Sequence, residues 1–132
     1  MKFISPLHVF LPRKTKADKK IILNLNVYRN THYIVLNQAK KIYNQVMYAS
    51  LIDSAMETIF TTIELEFTLF KGSKRKCDRA NVYSIQEKFF CDFLVDAGFI
   101  EDDNDDYIIK SVYNQTQYDK DYPRCEIIVK EV

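Results

Sequence analysis

Tryptophan is absent from this chain, and 132 residues hold only two glycines and three prolines. With Gly72 and Gly98 alone there is neither a P-loop nor a GxGxxG turn, which excludes the usual Gly-rich cradles for nucleotide phosphates. No apolar run approaches the roughly 18 residues that a bilayer-spanning helix needs, so no membrane partner is expected. Cysteine is scarce as well. Cys77, Cys91 and Cys125 are odd in number and form no CxxC pair, and His8 and His32 stand far apart, so a structural zinc site is not expected. The thiols read as reduced cysteines of a cytosolic protein. The opening MKFISPLHVF is too short for a signal peptide and runs into basic residues instead of a cleavage site, so secretion is not expected. An excess of one charge is also missing: 19 Lys and Arg face 18 Asp and Glu, leaving a net charge of +1. Charge distribution therefore says more about partners than charge sum.

What is present is ordinary globular material, 47 % apolar and 28 % charged, enough for one domain around one core. Nine Tyr and nine Phe with abundant Asn, Lys and Ile fit an AT-rich coding source, a hint of a phage or a low-GC bacterium. Residues 3–10 form an apolar, β-prone stretch interrupted at Pro6 and read as a first or edge strand. Residues 11–30 read as a basic loop, densest in charge at Arg13, Lys14, Lys16, Lys19 and Lys20. Such a run is either a solvated linker or an arm that contacts phosphates. Residues 31–36 read as a short strand or packed loop. A helix is predicted from Asn37 as cap to about residue 55, with Ile42, Val46, Ala49 and Ile52 or Asp53 at helical spacing.

The clearest element spans residues 59–70, where Ile63, Leu65, Phe67 and Leu69 alternate with Thr62, Glu64, Glu66 and Thr68 up to Gly72. A second basic segment follows with Lys71, Lys74, Arg75, Lys76 and Arg79. A second helix is predicted over 83–97, with Ile85, Phe89, Phe93 and Leu94 inward and Gly98 as its stop. An acidic segment at 101–106 precedes two strands, 107–118 and 125–132, joined by a turn around 119–123. This order predicts a small α+β domain, a mixed sheet carrying two main helices.

Two features bracket the second helix: the basic strand-end loop leading into Asp78, Arg79, Ala80 and Asn81, and the adjacent carboxylates Asp102 and Asp103. Carboxylates converging near cations are what a magnesium-dependent phosphodiesterase requires. Hard oxygens hold Mg²⁺, which activates water and neutralises charge on the phosphate. Asn81, Ser84, Lys88 and Asp92 fall on one helical stripe, opposite the apolar face. The bland alternatives are a solvent-facing stripe with a weak Lys88–Asp92 pair, and a solvated acidic turn. Composition and spacing leave both readings open.

The stretch CDRANVYSIQEKFFCDFLVDAGFIEDDNDDYI resembles the core of the RusA family of Holliday-junction resolvases. The residues that match the family motif are Asp78, Asn81, Lys88, Asp92-Phe93-Leu94, Gly98-Phe99 and Asp102-Asp103. The N-terminal VFLPRK and the basic loop behind it also resemble the family's opening segment. The resemblance implies a single RusA-like domain over 1–132 and metal-dependent cleavage of four-way DNA junctions in a phage's or prophage's bacterial host cytoplasm. It implies Asp78, Lys88 and Asp103 as catalytic residues, and Asp78, Asp102 and Asp103 as ligands of Mg²⁺ or Mn²⁺. Arg13, Lys14, Lys16, Lys19, Lys20, Lys74, Arg75, Lys76, Arg79 and Asn81 would contact DNA. A two-fold junction implies a homodimer, and the apolar face of residues 59–70 is a candidate dimer core.

Two departures accompany the resemblance. Ala80 stands where the motif has a second aspartate, and the interval from Asn81 to Lys88 is longer than the motif's by about four residues, close to one helical turn. Asp102, Glu87 and Asp106, in that order, are the candidates to replace the missing acid. Glu87 ranks behind Asp102 because it lies about 100° from Lys88 around a helix. The rival functions are an inactive junction-binding protein on the same fold and a small phage module that inhibits a host factor.

Overall fold

The alternating segment in the middle of the chain forms the spine of the protein. In the computed structural model, which describes residues 1–51 and 57–132, seven strands and three helices follow in chain order. They are β1 (Lys2–Ser5), β2 (His8–Leu11), β3 (Lys19–Ile22), α1 (Leu25–Arg29), α2 (Tyr33–Ala49), β4 (Ile63–Lys71), α3 (Arg79–Asp96), β5 (Ile108–Tyr113), β6 (Gln117–Tyr118) and β7 (Arg124–Glu131). The main sheet runs β1–β7–β4–β5, with β6 also on β4, while β2 and β3 form a separate hairpin. β7 is antiparallel to β4, and β5 and β6 are parallel to it. A parallel neighbour needs a crossover, and α3 supplies it between β4 and β5. This is the small α+β fold with a mixed sheet and two main helices that the element order predicts.

Period-2 alternation gives β4 its two faces: Ile63, Leu65, Phe67 and Leu69 are buried, while Glu66 is exposed. α3 covers the buried face, with Phe90 against Phe67 and the Tyr83 hydroxyl accepting the Leu69 N–H at 2.9 Å. The apolar side of β4 is thus consumed within the chain and supplies no dimer core, which corrects that expectation. On the open face Glu64 is registered between Lys110 and Lys130, opposite charges that favour each other across strands.

α3 begins at Arg79, four residues before the predicted start, because Asp78 caps it by accepting the Ala80 N–H at 3.2 Å. Its predicted inward residues Ile85, Phe89, Phe93 and Leu94 are all buried, as are Tyr83 and Phe90 on its other sides. The helix is sandwiched between sheet and outer layer. Phe90 meets Phe3 edge-on at 5.1 Å and Phe67 at 6.3 Å, while Phe89 meets Tyr43 of α2 at 5.5 Å. Gly98 follows the helix at φ 80°, the left-handed conformation that favours glycine at this position. Polar groups also tie the layers. Ser5 Oγ lies 2.7 Å from the Tyr43 hydroxyl and donates to Gln86 Oε1 at 2.5 Å, and Gln86 Nε2 donates to the Pro6 carbonyl at 2.9 Å. Ser5, Tyr43 and Gln86 are fully buried.

Several boundaries differ from those predicted. Residues 3–10 break at Pro6 into β1 and β2, which belong to different sheets. The basic loop is the tip of the β2–β3 hairpin, followed by the short helix α1. Residues 31–36 are no strand: His32, whose ring Nδ1 accepts the Ile34 N–H, caps α2 in place of Asn37. α2 buries Ala39, Tyr43 and Met47 with Ile42 half-buried beside them, while Val46 and Ala49 are exposed; Tyr43 can bury its ring because Ser5 satisfies its hydroxyl. It ends at Ala49 with Ser50 as cap, Leu51 lies beyond it, and the rest of the predicted helix, residues 52–55 with Ile52 and Asp53, lies outside the described residues. β5 and β7 lie on opposite sides of β4, so the turn between them does not make a hairpin. No helix among the described residues is long and apolar enough to cross a membrane. The three cysteines are free, Cys77 exposed and the others buried.

Arg124 anchors the start of β7. Its guanidinium contacts Asp119 at 2.8 Å and Glu126 at 2.6 Å and lies 4.0 Å from the Phe70 ring centre. The hydrogen bond from Arg124 holds the Asp119 carboxyl below its ordinary value, and Lys2, followed by Arg124, does the same for Glu126. Depressed carboxylates stabilise fully above the ordinary carboxylate range, and that stabilisation is lost as pH falls through the lowered values. Thermal melts should therefore fall below about pH 4, and Arg124→Met should flatten the fall. An unchanged pH profile in that variant would assign the acid sensitivity to other groups.

Candidate functional site

α3, the acidic turn after it and β5 enclose a groove of about 530 Å³. Ser84, Glu87, Lys88 and Cys91 line it from the helix, at spacings of three, one and three that make one stripe. Asp103 and Asp105 line it from the turn, and residues 108–111 line it from β5. Lys88 and Asp103, two of the three expected catalytic residues, therefore share one space.

Glu87 shares it with them. Its two carboxylate oxygens accept the hydroxyls of Ser111 and Tyr113, alternate residues on one face of β5. Burial, then the bond to Glu87, raises the Tyr113 hydroxyl's pKa, which keeps it a donor. The Tyr113 ring in turn stacks on Tyr83, centroids 4.9 Å apart. Angular distance from Lys88 does not remove Glu87 from the site, because β5 closes the groove on that side of the helix. Lys88 is exposed, has no ion-pair partner among the described residues, and stands 5.8 Å from the Tyr28 ring centre. Asp92 pairs with Lys40 at 3.1 Å instead of with Lys88. Burial is the main cause that raises the Cys91 thiol's pKa. The carboxylates of Glu87, Asp103 and Asp92 raise it further, and Lys88 opposes them.

The remaining candidates have other work. Asp78 caps α3 ten residues before Lys88, about 15 Å along the helix axis, and does not line the groove. Asp102 is spent within the turn, accepting the Asp103 N–H at 2.7 Å and the Asn104 side chain at 3.1 Å. Asp106 lies outside the groove lining, and its N–H donates to Asn104. Arg79 donates to the carbonyls of Tyr113 and Asn114 and clasps the end of β5. Asn81 accepts the Asn26 N–H at 3.1 Å and holds α1. Among the described residues no three His, Cys, Asp or Glu side chains form a group able to hold a metal ion. Asp78, Asp102 and Asp103 are not brought together into such a group: Asp78 stands at the head of α3 and Asp102 is bonded within the turn.

The basic residues form two exposed sets. Arg13, Lys14, Lys16, Lys19 and Lys20 occupy the tip and second strand of the hairpin. Lys74, Arg75 and Lys76 occupy the loop into α3, with Lys74 5.4 Å from the Tyr118 ring centre. Lys110, Ser111 and Tyr113 were not legible as site residues, since only the packing of β5 beside α3 brings them there. No protein-family model matches this chain, and no curated protein matches it.

Proposed function

We propose that this protein is a RusA-like, structure-selective endodeoxyribonuclease that acts on four-way DNA junctions in the cytoplasm of a phage's or prophage's bacterial host. The observation that carries the reading is the groove in which Lys88 stands with Glu87 and Asp103. An unpaired ammonium there can offset charge as it builds on a phosphodiester. A carboxylate beside it can accept a proton from the attacking water, whose oxygen forms the new bond to phosphorus as the bridging P–O bond breaks and the leaving oxygen takes up a proton from solvent. The two basic sets suit the flanking phosphates. Paired incision of a two-fold junction calls for a homodimer, whose interface would lie away from the buried face of β4.

A second reading, a junction-binding protein without hydrolytic activity, is favoured by Ala80 and by the separation of Asp78 and Asp102 from the groove. One assay tests both: an end-labelled synthetic four-way junction incubated with the protein in Mg²⁺, Mn²⁺ or EDTA. The expected result is paired, symmetric nicks that require a divalent ion. Tight binding without nicks in either metal selects the second reading. Equal affinity for branched and linear DNA would overturn both.

A further inference from the structure

The β2–β3 hairpin has an outer face that the core does not use. Val9, Leu11 and Ile21 are buried, whereas Phe10 is 47 % and Ile22 48 % exposed. Phe10 is registered opposite Lys20 and His8 opposite Ile22, so these four side chains share the outer face. The His8 and Phe10 rings meet edge-on with centroids 5.1 Å apart. The adjoining exposed tip carries Arg13, Lys14 and Lys16 against the single acid Asp18.

A half-exposed aromatic surface bordered by cations suits a polyanion that also has flat apolar faces. Paired DNA offers its phosphates but keeps its bases stacked on one another. Unpaired nucleotides offer both, and base-on-aromatic stacking tolerates any sequence. We infer that this face is a stacking platform for unpaired nucleobases, with Phe10 beneath a base and Lys20 and the tip cations along the flanking phosphates. The platform lies outside the groove and rests on the reading above only in taking DNA as its ligand. Burial and the Lys20 charge lower the His8 pKa, so near neutral pH the cations here are lysine and arginine alone.

Because the chain has no tryptophan, Phe10→Trp installs a single fluorescent reporter on the platform. Titration with (dT)20 should quench its emission, while phosphatidylserine vesicles should leave it unchanged. In anisotropy measurements Phe10→Leu and Phe10→Ala should bind labelled (dT)20 roughly tenfold more weakly than wild type, with Phe10→Trp retaining affinity. Thermal melts of each variant separate lost stacking from lost folding. The inference is overturned if wild type does not bind (dT)20, if the reporter is unmoved at saturation, or if folded Phe10→Leu binds like wild type. A response to vesicles with none to DNA overturns it in favour of a membrane surface. None of these readouts needs nicking, so this inference and the nuclease reading can fail separately.

Discussion

Asp103→Asn and Lys88→Ala are each expected to reduce junction nicking by about 10²- to 10³-fold while leaving junction binding close to wild type. The magnitude is that of removing one charged group which acts on the reacting phosphate. Binding should survive because the two basic sets lie outside the groove lining. Asp103→Asn is the sharper test, since the backbone N–H of Asp103, and not its carboxylate, makes the turn's bond to Asp102. The turn therefore keeps its shape in the variant. Losing one of five acids in six residues should leave stability unchanged or slightly higher. Single-turnover cleavage and a thermal melt on the same sample check both halves. Full activity in Asp103→Asn would mean that the acidic segment is only a solvated turn and that the groove is not the site.

Phe90→Ala should cost about 3–5 kcal/mol of stability. Phe90 is fully buried and lies between Phe3, Phe67 and Phe93, where sheet and α3 meet. Truncation removes the transfer free energy of the ring and opens a cavity that the surrounding aromatic rings cannot fill. Edge-to-face contacts with Phe3 and Phe67 add a further loss, roughly 0.5–1.5 kcal/mol per pair. Against a total stability of about 5–15 kcal/mol, the melting temperature should drop by roughly 10 °C or more. Denaturant and thermal unfolding measure it directly. A drop of only about 1 °C would show that the cluster around Phe90 is not where the core is held.

The amino-acid order by itself determined the elements whose signals are local. β4 was legible because alternating Ile63, Leu65, Phe67 and Leu69 can make only a half-buried strand. The inward face of α3 was legible because Ile85, Phe89, Phe93 and Leu94 repeat at helical spacing before Gly98, which only a left-handed stop requires. The α+β class follows from the order of those elements. Everything that depends on partners distant in sequence was decided by tertiary structure. Which residues of α2 face inward turned on Ser5, which satisfies the Tyr43 hydroxyl from another layer. The basic run became a hairpin tip because Val9, Leu11 and Ile21 find a surface on which to bury. The groove is the strongest case. Parallel pairing of β5 with β4 sets Ser111 and Tyr113 against Glu87, while the length of α3 carries Asp78 away from Lys88. Neither consequence is written in any local pattern, because both arise from rigid elements meeting across large sequence separations.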